Sequence, residues 1–243
     1  MDRLVYTALT GLQRAQESQS VTAHNLANAS TPGFRREMAA LGAGFLTPSG
    51  AALTARAQSG GESPHDLLSA GRVENTGNQL DVAMNGGAWL AVTDAGGEGL
   101  TRRGDLRIDP DGRLLTGDGH EVMGVDGPIG IASGFQQLRI ARDGRIETRT
   151  ADDAPFVEVA RLKLVTPNPA TLERGADGLF RAPVMEADES ATVTVGALER
   201  SNVEPAAALV ELVEQSRRFE LQTKLITTAR EMDEASASLM RVQ

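Results

Sequence analysis

The first thirty-four residues constrain this chain most, because they spell one half of a helix pair. Met1, Val5, Ala8, Leu12, Ala15, Gln19, Thr22, Leu26 and Ala29 recur in alternating steps of four and three, the spacing of a helix that lies along another helix. Asp2 can cap its start. Pro32 and Gly33 end it near Ser30, since proline pushes Thr31 out of helical geometry and glycine permits the reversal. The second half of the seam is small and polar, so this helix buries too little apolar surface to stand alone. It needs a partner.

A partner pattern lies at the other end of the sequence. Pro205 suits the first turn of a helix, with Asn202 or Glu204 at its cap. Behind it, Leu209, Leu212, Ser216, Phe219, Thr223 and Ile226 make one stripe; Val213, Leu221, Leu225, Thr228, Met232, Ala235 and Leu239 make an adjoining one. Two stripes predict two contacts, one with the N-terminal helix and one with another molecule.

Residues 35–71 shift to Ala, Gly, Ser and Pro and read as an extended connector. Short strands follow. Residues 80–84 alternate, residues 89–92 form a buried-type run, residues 106–108 and 113–116 flank a turn, residues 138–141 and 145–147 form a hairpin, and residues 157–165 carry the cleanest alternation. Asp111-Gly112, Asp118-Gly119, Asp126-Gly127, Asp143-Gly144 and Asp177-Gly178 fall between apolar runs, and Asp-Gly favours the primed turns of two-residue hairpins. The fold class is therefore α+β, with paired long N- and C-terminal helices in a coiled-coil-like arrangement and an inserted all-β domain. The expected domains are residues 1–34 plus 199–243 (helical), 35–71 (connector) and 72–198 (β-rich).

Several function classes fit poorly. A net charge of -9 with one Trp, one Tyr and six Phe argues against binding nucleic acid. No run approaches the roughly 18 apolar residues of a membrane span, so no direct membrane insertion is expected, and the start lacks the unbroken apolar core of a cleaved signal peptide. His24, His65 and His120 stand in separate segments and cysteine is absent, which leaves no metal-ligand spacing. Gly97-Glu-Gly99 and Gly117-Asp-Gly119 lack the third glycine of a dinucleotide loop. Neither a catalytic residue, a cofactor site nor a metal site is expected. Asn25 and Asn28, three apart, read either as buried amides that fix register or as a frayed last turn.

Four blocks, in order, resemble the bacterial flagellar rod and hook proteins. They are residues 25–34 (Asn-Leu-Ala-Asn-Ala-Ser-Thr-Pro-Gly-Phe), residues 75–86, residues 100–124, and residues 201–204 with 216–220. Within that family the opening residues 1–8 and the modest length look most like a proximal rod member, the distal rod being the alternative. Trp89-Leu90 and Arg103 depart from the family pattern. The resemblance implies a structural subunit of the basal-body rod, without catalysis or cofactor. It also implies export by the flagellar type III apparatus without signal cleavage, and a place in the periplasmic rod among copies of itself and neighbouring proximal and distal rod proteins. Terminal helices would form an inner tube, with Val5, Ala8, Leu12, Ala15, Leu26, Leu209, Leu212, Phe219, Ile226, Met232 and Leu239 packing between subunits. Asn25, Asn28, Pro32, Gly33 and Phe34 would set register and boundary. A secreted hydrolase built on the β domain is the rival from another class, and it needs a nucleophile or metal that the sequence does not offer.

Overall fold

The computed structural model describes residues 2–38, 68–94 and 96–240, with side chains described for residues 11–38, 68–94, 96–224, 226–228, 230 and 231. Most of the expected connector, residues 39–67, lies outside the described residues. The chain forms two compact units: the described parts of Met1–Ala29, Arg36–Leu67 and Val203–Gln243, and Ser30–Arg35 with Leu68–Asn202. Residues 30–35 and 199–202 thus pack with the strands, not with the helices they adjoin in sequence, because their backbone and charges are satisfied there.

The helical unit holds α1 (Asp2–Ala27) and α2 (Pro205–Met240). At the end of α1 the Asn28 side-chain amide donates to the His24 carbonyl at 3.0 Å, a second bond to a carbonyl that also accepts from the Asn28 backbone N at 3.1 Å. The start of α2 is set by Pro205 in the first turn, with the Glu204 carbonyl accepting from Ala208 N at 3.0 Å. Gln215 bonds Thr22, and Gly11 lies beside Gln222, so the two helices run antiparallel.

The β unit is antiparallel throughout. Its strands are β1 (Val73–Asn75), β2 (Val82–Met84), β3 (Trp89–Asp94), β4 (Gly97–Thr101), β5 (Leu106–Ile108), β6 (Leu114–Thr116), β7 (Glu121–Gly124) and β8 (Gly127–Pro128). Then follow β9 (Gln137–Ile140), β10 (Arg145–Arg149), β11 (Val157–Arg161), β12 (Leu164–Val165), β13 (Glu173–Arg174), β14 (Phe180–Arg181), β15 (Val193–Val195) and β16 (Ala197–Glu199). The largest sheet runs β13-β14-β4-β3-β7-β6-β5, with β12 on β3 and β8 on β7. Pairs β1-β16 and β15-β2 and the triplet β11-β10-β9 complete the unit. The core gathers Val82, Leu90, Val92, Leu114, Val122, Ile146, Leu164 and Val193, while Trp89, Ala91, Leu100 and Val165 form a second cluster.

All five Asp-Gly pairs join antiparallel neighbours, and each glycine has positive φ, from +80° to +128°. The turn type differs from expectation at four of them. At Gly112, Gly119, Gly144 and Gly178 the glycine N donates three residues back and a second bond closes the loop one residue later, as in Asp109 N to Arg113 O. This is a three-residue loop, a type I turn followed by a left-handed glycine bulge; the glycine serves as the bulge that restores strand twist. Of the five Asp-Gly pairs, only Asp126-Gly127 adjoins a two-residue loop, Val125-Asp126, between paired strand ends.

Alternation misjudged two strands. Residues 82–84 are buried on both faces, and β11 is an edge strand with Val157 and Val159 exposed. A bulge opposite Ile146 and Glu147 shifts the register of β11, and the apolar set that enters the core comes later, as Leu162, Leu164 and Val165.

Ile146 is fully enclosed. Ile146→Ala leaves a cavity and is expected to lower unfolding free energy by about 2–5 kcal/mol, read as a reduced midpoint in urea at unchanged slope. Asp177 holds Arg181 across the β13/β14 turn at 2.5 Å, and that guanidinium keeps its carboxyl down at about 2. A depressed carboxyl stabilises the fold above its unfolded value and loses that contribution as pH falls through 2. Asp177→Asn should therefore be less stable than the parent at pH 7 and indistinguishable from it below pH 2, by thermal melts at both pH values.

Candidate functional site

Residues 30–35 carry the family-like signature and are seated in the β unit. Phe34 N donates to Thr31 O at 3.3 Å, closing a turn around Pro32 and Gly33. Gly33 has φ +67°, and its N donates to the Glu199 carbonyl at 2.7 Å. A Cβ on Gly33 would lie 2.2 Å from the Arg102 carbonyl carbon, so the backbone approaches too closely for any other residue. The buried Phe34 ring stacks under the Arg174 guanidinium at 4.9 Å, and Arg174 also covers Phe180, which tilts against Trp89 at 4.8 Å.

Beside this plug lies a buried ion cluster. Glu199, 2% exposed, takes Arg35 on one carboxylate oxygen at 2.7 Å and Arg102 on the other at 2.6 Å. The Gly71 N donates to the same oxygen as Arg35, at 2.9 Å. Arg102 also donates to the carbonyls of Ala88 and Gly86, and Arg35 to that of Ser69. Both guanidinium groups stand 5.8 Å from the Trp89 ring centre, within cation–π range. Two cations on one anion leave an excess positive charge out of water, offset by the carbonyl acceptors and the indole face. Burial pulls the Arg35 guanidinium down to about 10 although Glu199 opposes it, so Arg35 remains cationic at neutral pH.

The helical unit presents a polar seam. Thr22 and Asn25 are buried; Leu12, Ala15, Gln19 and Leu26 are half-buried along the same side of α1, as is Ala29 in the turn after it. On α2 the enclosed stripe is Ala208, Leu212, Gln215, Ser216, Phe219, Gln222 and Ile226; Leu212, Ser216, Phe219 and Ile226 lie where the sequence placed them, whereas Leu209, 51% exposed, and Thr223 turn out to solvent and the residues one step before them, Ala208 and Gln222, are enclosed. Gln215 explains the difference: its amide donates to Ser18 at 3.0 Å and to Thr22 at 2.9 Å, hydroxyls for which a leucine offers no partner. Its third bond goes to Glu211, which also takes Arg36.

Asn25 exchanges two hydrogen bonds with the Glu37 backbone, at 2.7 and 2.8 Å, tying the chain beyond the reversal back to α1. Asn28 bonds the last turn. Side chains of Val5, Ala8, Met232 and Leu239 lie outside the described residues. Sequence reasoning missed Arg35, Arg102, Arg174, Glu199 and Gln215. The one signal available was that Arg35 and Glu199 each directly follow an apolar residue at a boundary, and such charges normally face water.

Three family models match this chain. That for "Flagella basal body rod protein" covers residues 5–35, that for "Flagellar hook protein FlgE/F/G D1 domain" residues 83–148, and that for "Flagellar basal body rod FlgEFG protein C-terminal" residues 194–239. The chain is also 40% identical to the flagellar basal-body rod protein FlgF of Escherichia coli K12, over 94% of each chain. The chain belongs to the flagellar basal-body rod protein family. FlgF of Salmonella typhimurium is 38% identical over 99% of each chain, and FlgG of Agrobacterium fabrum 29% over 95% of this chain and 96% of its own. Each of the three matched rod-family segments contributes one charged residue to the buried cluster: Arg35, Arg102 and Glu199.

Among the described residues no group of three His, Asp or Glu side chains could hold a metal ion, and no helix is long and apolar enough to cross a membrane. Gly33→Ala should lower unfolding free energy of this rod-family chain by at least about 2 kcal/mol, through strain at positive φ and collision with Arg102, measured by equilibrium denaturation with Trp89 emission as the probe.

Proposed function

We propose that this chain is a structural subunit of the bacterial flagellar basal-body rod, not an enzyme, in the proximal place of the relatives named FlgF. The observation that carries this reading is identity of 40% and 38% over nearly the whole of two FlgF chains, against 29% for FlgG. Like copies related by a repeated rotation and rise meet through unlike faces, and such contacts give an open helical assembly. The terminal helices pack as a coiled-coil-like inner tube and the β unit forms the outer layer. Neighbours above and below are further copies and other rod proteins. The chain reaches its place through the flagellar type III export apparatus without a cleaved signal, and the assembled rod transmits torque across the periplasm.

Two features of the helical unit support assembly through the helices. The seam between α1 and α2 is largely small and polar, so the pair gains little from burial within one molecule. Meanwhile α2 exposes Leu209, Val210, Val213 and Leu221, each more than half accessible, on its outer side. Apolar surface of that extent on one helix marks a contact with another molecule.

Val5, Ala8, Met232 and Leu239 extend that packing, Leu12, Ala15, Leu26, Leu212, Phe219 and Ile226, half-buried in the seam, lose their remaining exposure against neighbouring copies, and Asn25, Asn28, Pro32, Gly33 and Phe34 hold its register. Leu209→Glu with Val213→Glu is expected to leave a folded monomer by circular dichroism and sedimentation, yet to abolish rod assembly and swimming. Motile cells with intact rods containing the doubly substituted chain would overturn the reading.

A further inference from the structure

Asn85-Gly86 is the one asparagine-glycine pair in the sequence. It lies in the β unit, in the tight turn between β2 and β3, where Ala88 N donates to the Asn85 carbonyl at 3.2 Å and Gly86 has φ +58°. Asn85, Gly86 and Gly87 are exposed, and a Cβ on Gly86 would meet nothing within 4 Å, so solvent reaches this peptide bond. Among the described residues no group accepts a hydrogen bond from Gly86 N. That nitrogen is free to act as a nucleophile.

The Asp-Gly pairs differ on this point. Gly112 N, Gly119 N, Gly144 N and Gly178 N donate to the carbonyls of Asp109, Thr116, Ala141 and Gly175, and Gly127 faces Gly124 in the β7/β8 pair. An aspartate is also ionised at neutral pH, and a carboxylate is a poor electrophile. A different contact restrains Asn85. Its Nδ2 donates to the Thr192 hydroxyl at 3.0 Å, and the Thr194 hydroxyl donates to its Oδ1 at 2.9 Å. The carboxamide is held against the β15 segment and must leave both hydroxyls before it can turn onto its own backbone.

We propose that Asn85 is a site of spontaneous deamidation whose rate is set by the Thr192 and Thr194 hydroxyls. Hydroxide from solvent takes the Gly86 N–H proton, and the nitrogen attacks Asn85 Cγ. The Cγ–Nδ2 bond breaks and ammonia leaves, its third proton coming from water, which regenerates hydroxide. The succinimide so formed takes up one water: attack at Cγ leaves an aspartate side chain, and attack at the Asn85 backbone carbonyl leaves an isoaspartyl linkage. Either product adds a negative charge at the end of β2. The isoaspartyl product also lengthens the main chain by one carbon just before Gly86, whose carbonyl accepts from Arg102 at 3.2 Å, so the change is felt at the buried ion cluster. The chemistry concerns the β unit alone and stands whether or not the chain builds a rod.

Incubation of the folded full-length chain at pH 8, followed by peptide mapping by mass spectrometry, tests the proposal. Conversion should appear at residue 85 before any other asparagine. Thr192→Val with Thr194→Val removes both hydroxyls and should speed conversion on the order of tenfold for the two bonds lost. Thr192→Ser with Thr194→Ser restores the hydroxyls and should return the rate to within about twofold of the parent. Trp89 emission verifies that each variant is folded. In urea, where neither bond exists, parent and variants should convert at one rate, and the parent itself should run about tenfold faster than in buffer, a comparison that needs no variant. A folded valine variant no faster than the parent, a difference between them that persists in urea, a parent that converts equally fast folded and unfolded, or another asparagine converting first would overturn it.

Discussion

One carboxylate organises the β unit. Glu199 sits out of water with a guanidinium on each oxygen, and every group that satisfies it comes from a different stretch of chain: Arg35 from the segment after α1, Gly71 from the segment before β1, Arg102 from the end of β4. An ion so buried is tolerated only when its partners are all present, because desolvation costs several kcal/mol and incomplete pairing leaves that cost uncompensated. The cluster therefore makes the unit's closure conditional on the entry segment being in place. Trp89 reinforces the condition, since its ring faces both cations and its other neighbour, Phe180, is covered by the arginine that also covers Phe34.

The helical unit follows the opposite logic. Its intramolecular seam is held by hydrogen bonds of Gln215 with Ser18 and Thr22, and hydrogen bonds of that kind contribute about 1 kcal/mol each net. They specify register better than they supply stability, as a buried polar residue does in a coiled coil. Beside this seam α2 keeps an apolar side in solvent. A chain with a firmly closed β unit and a sparingly stabilised helix pair is suited to a family whose members are built into a rod: the firm part keeps its shape, and the helices gain most when neighbours add buried surface.

Legibility in the sequence followed from how local each cause was. The Asp-Gly pairs located five connections because the left-handed glycine conformation is a property of one residue, yet the pairs did not reveal the loop length, which the flanking hydrogen bonds decide. Period alone placed both helices, and Pro32-Gly33 and Pro205 marked their limits. The phase of the stripe on α2 was misread by one residue at Leu209, because hydrophobicity ranks leucine above glutamine whereas the facing hydroxyls of α1 reverse that preference. In the same way residues 157–161 alternated well but lay at an edge, with Val157 and Val159 in solvent, while the apolar residues that follow at 162, 164 and 165 entered the core.

By itself the sequence determined the class of the fold, its helix limits, its turn positions and its kinship, since each rests on spacing or on the conformational limits of proline and glycine. It left open where the signature at residues 30–35 would go. Only the tertiary structure decided that these residues belong to the β unit, because two of the groups that hold them, Glu199 and Arg174, lie more than a hundred residues away. An arginine next to a proline-glycine turn looks like a surface charge until the folded chain brings a buried carboxylate to it; long-range electrostatics and close packing carry no local pattern.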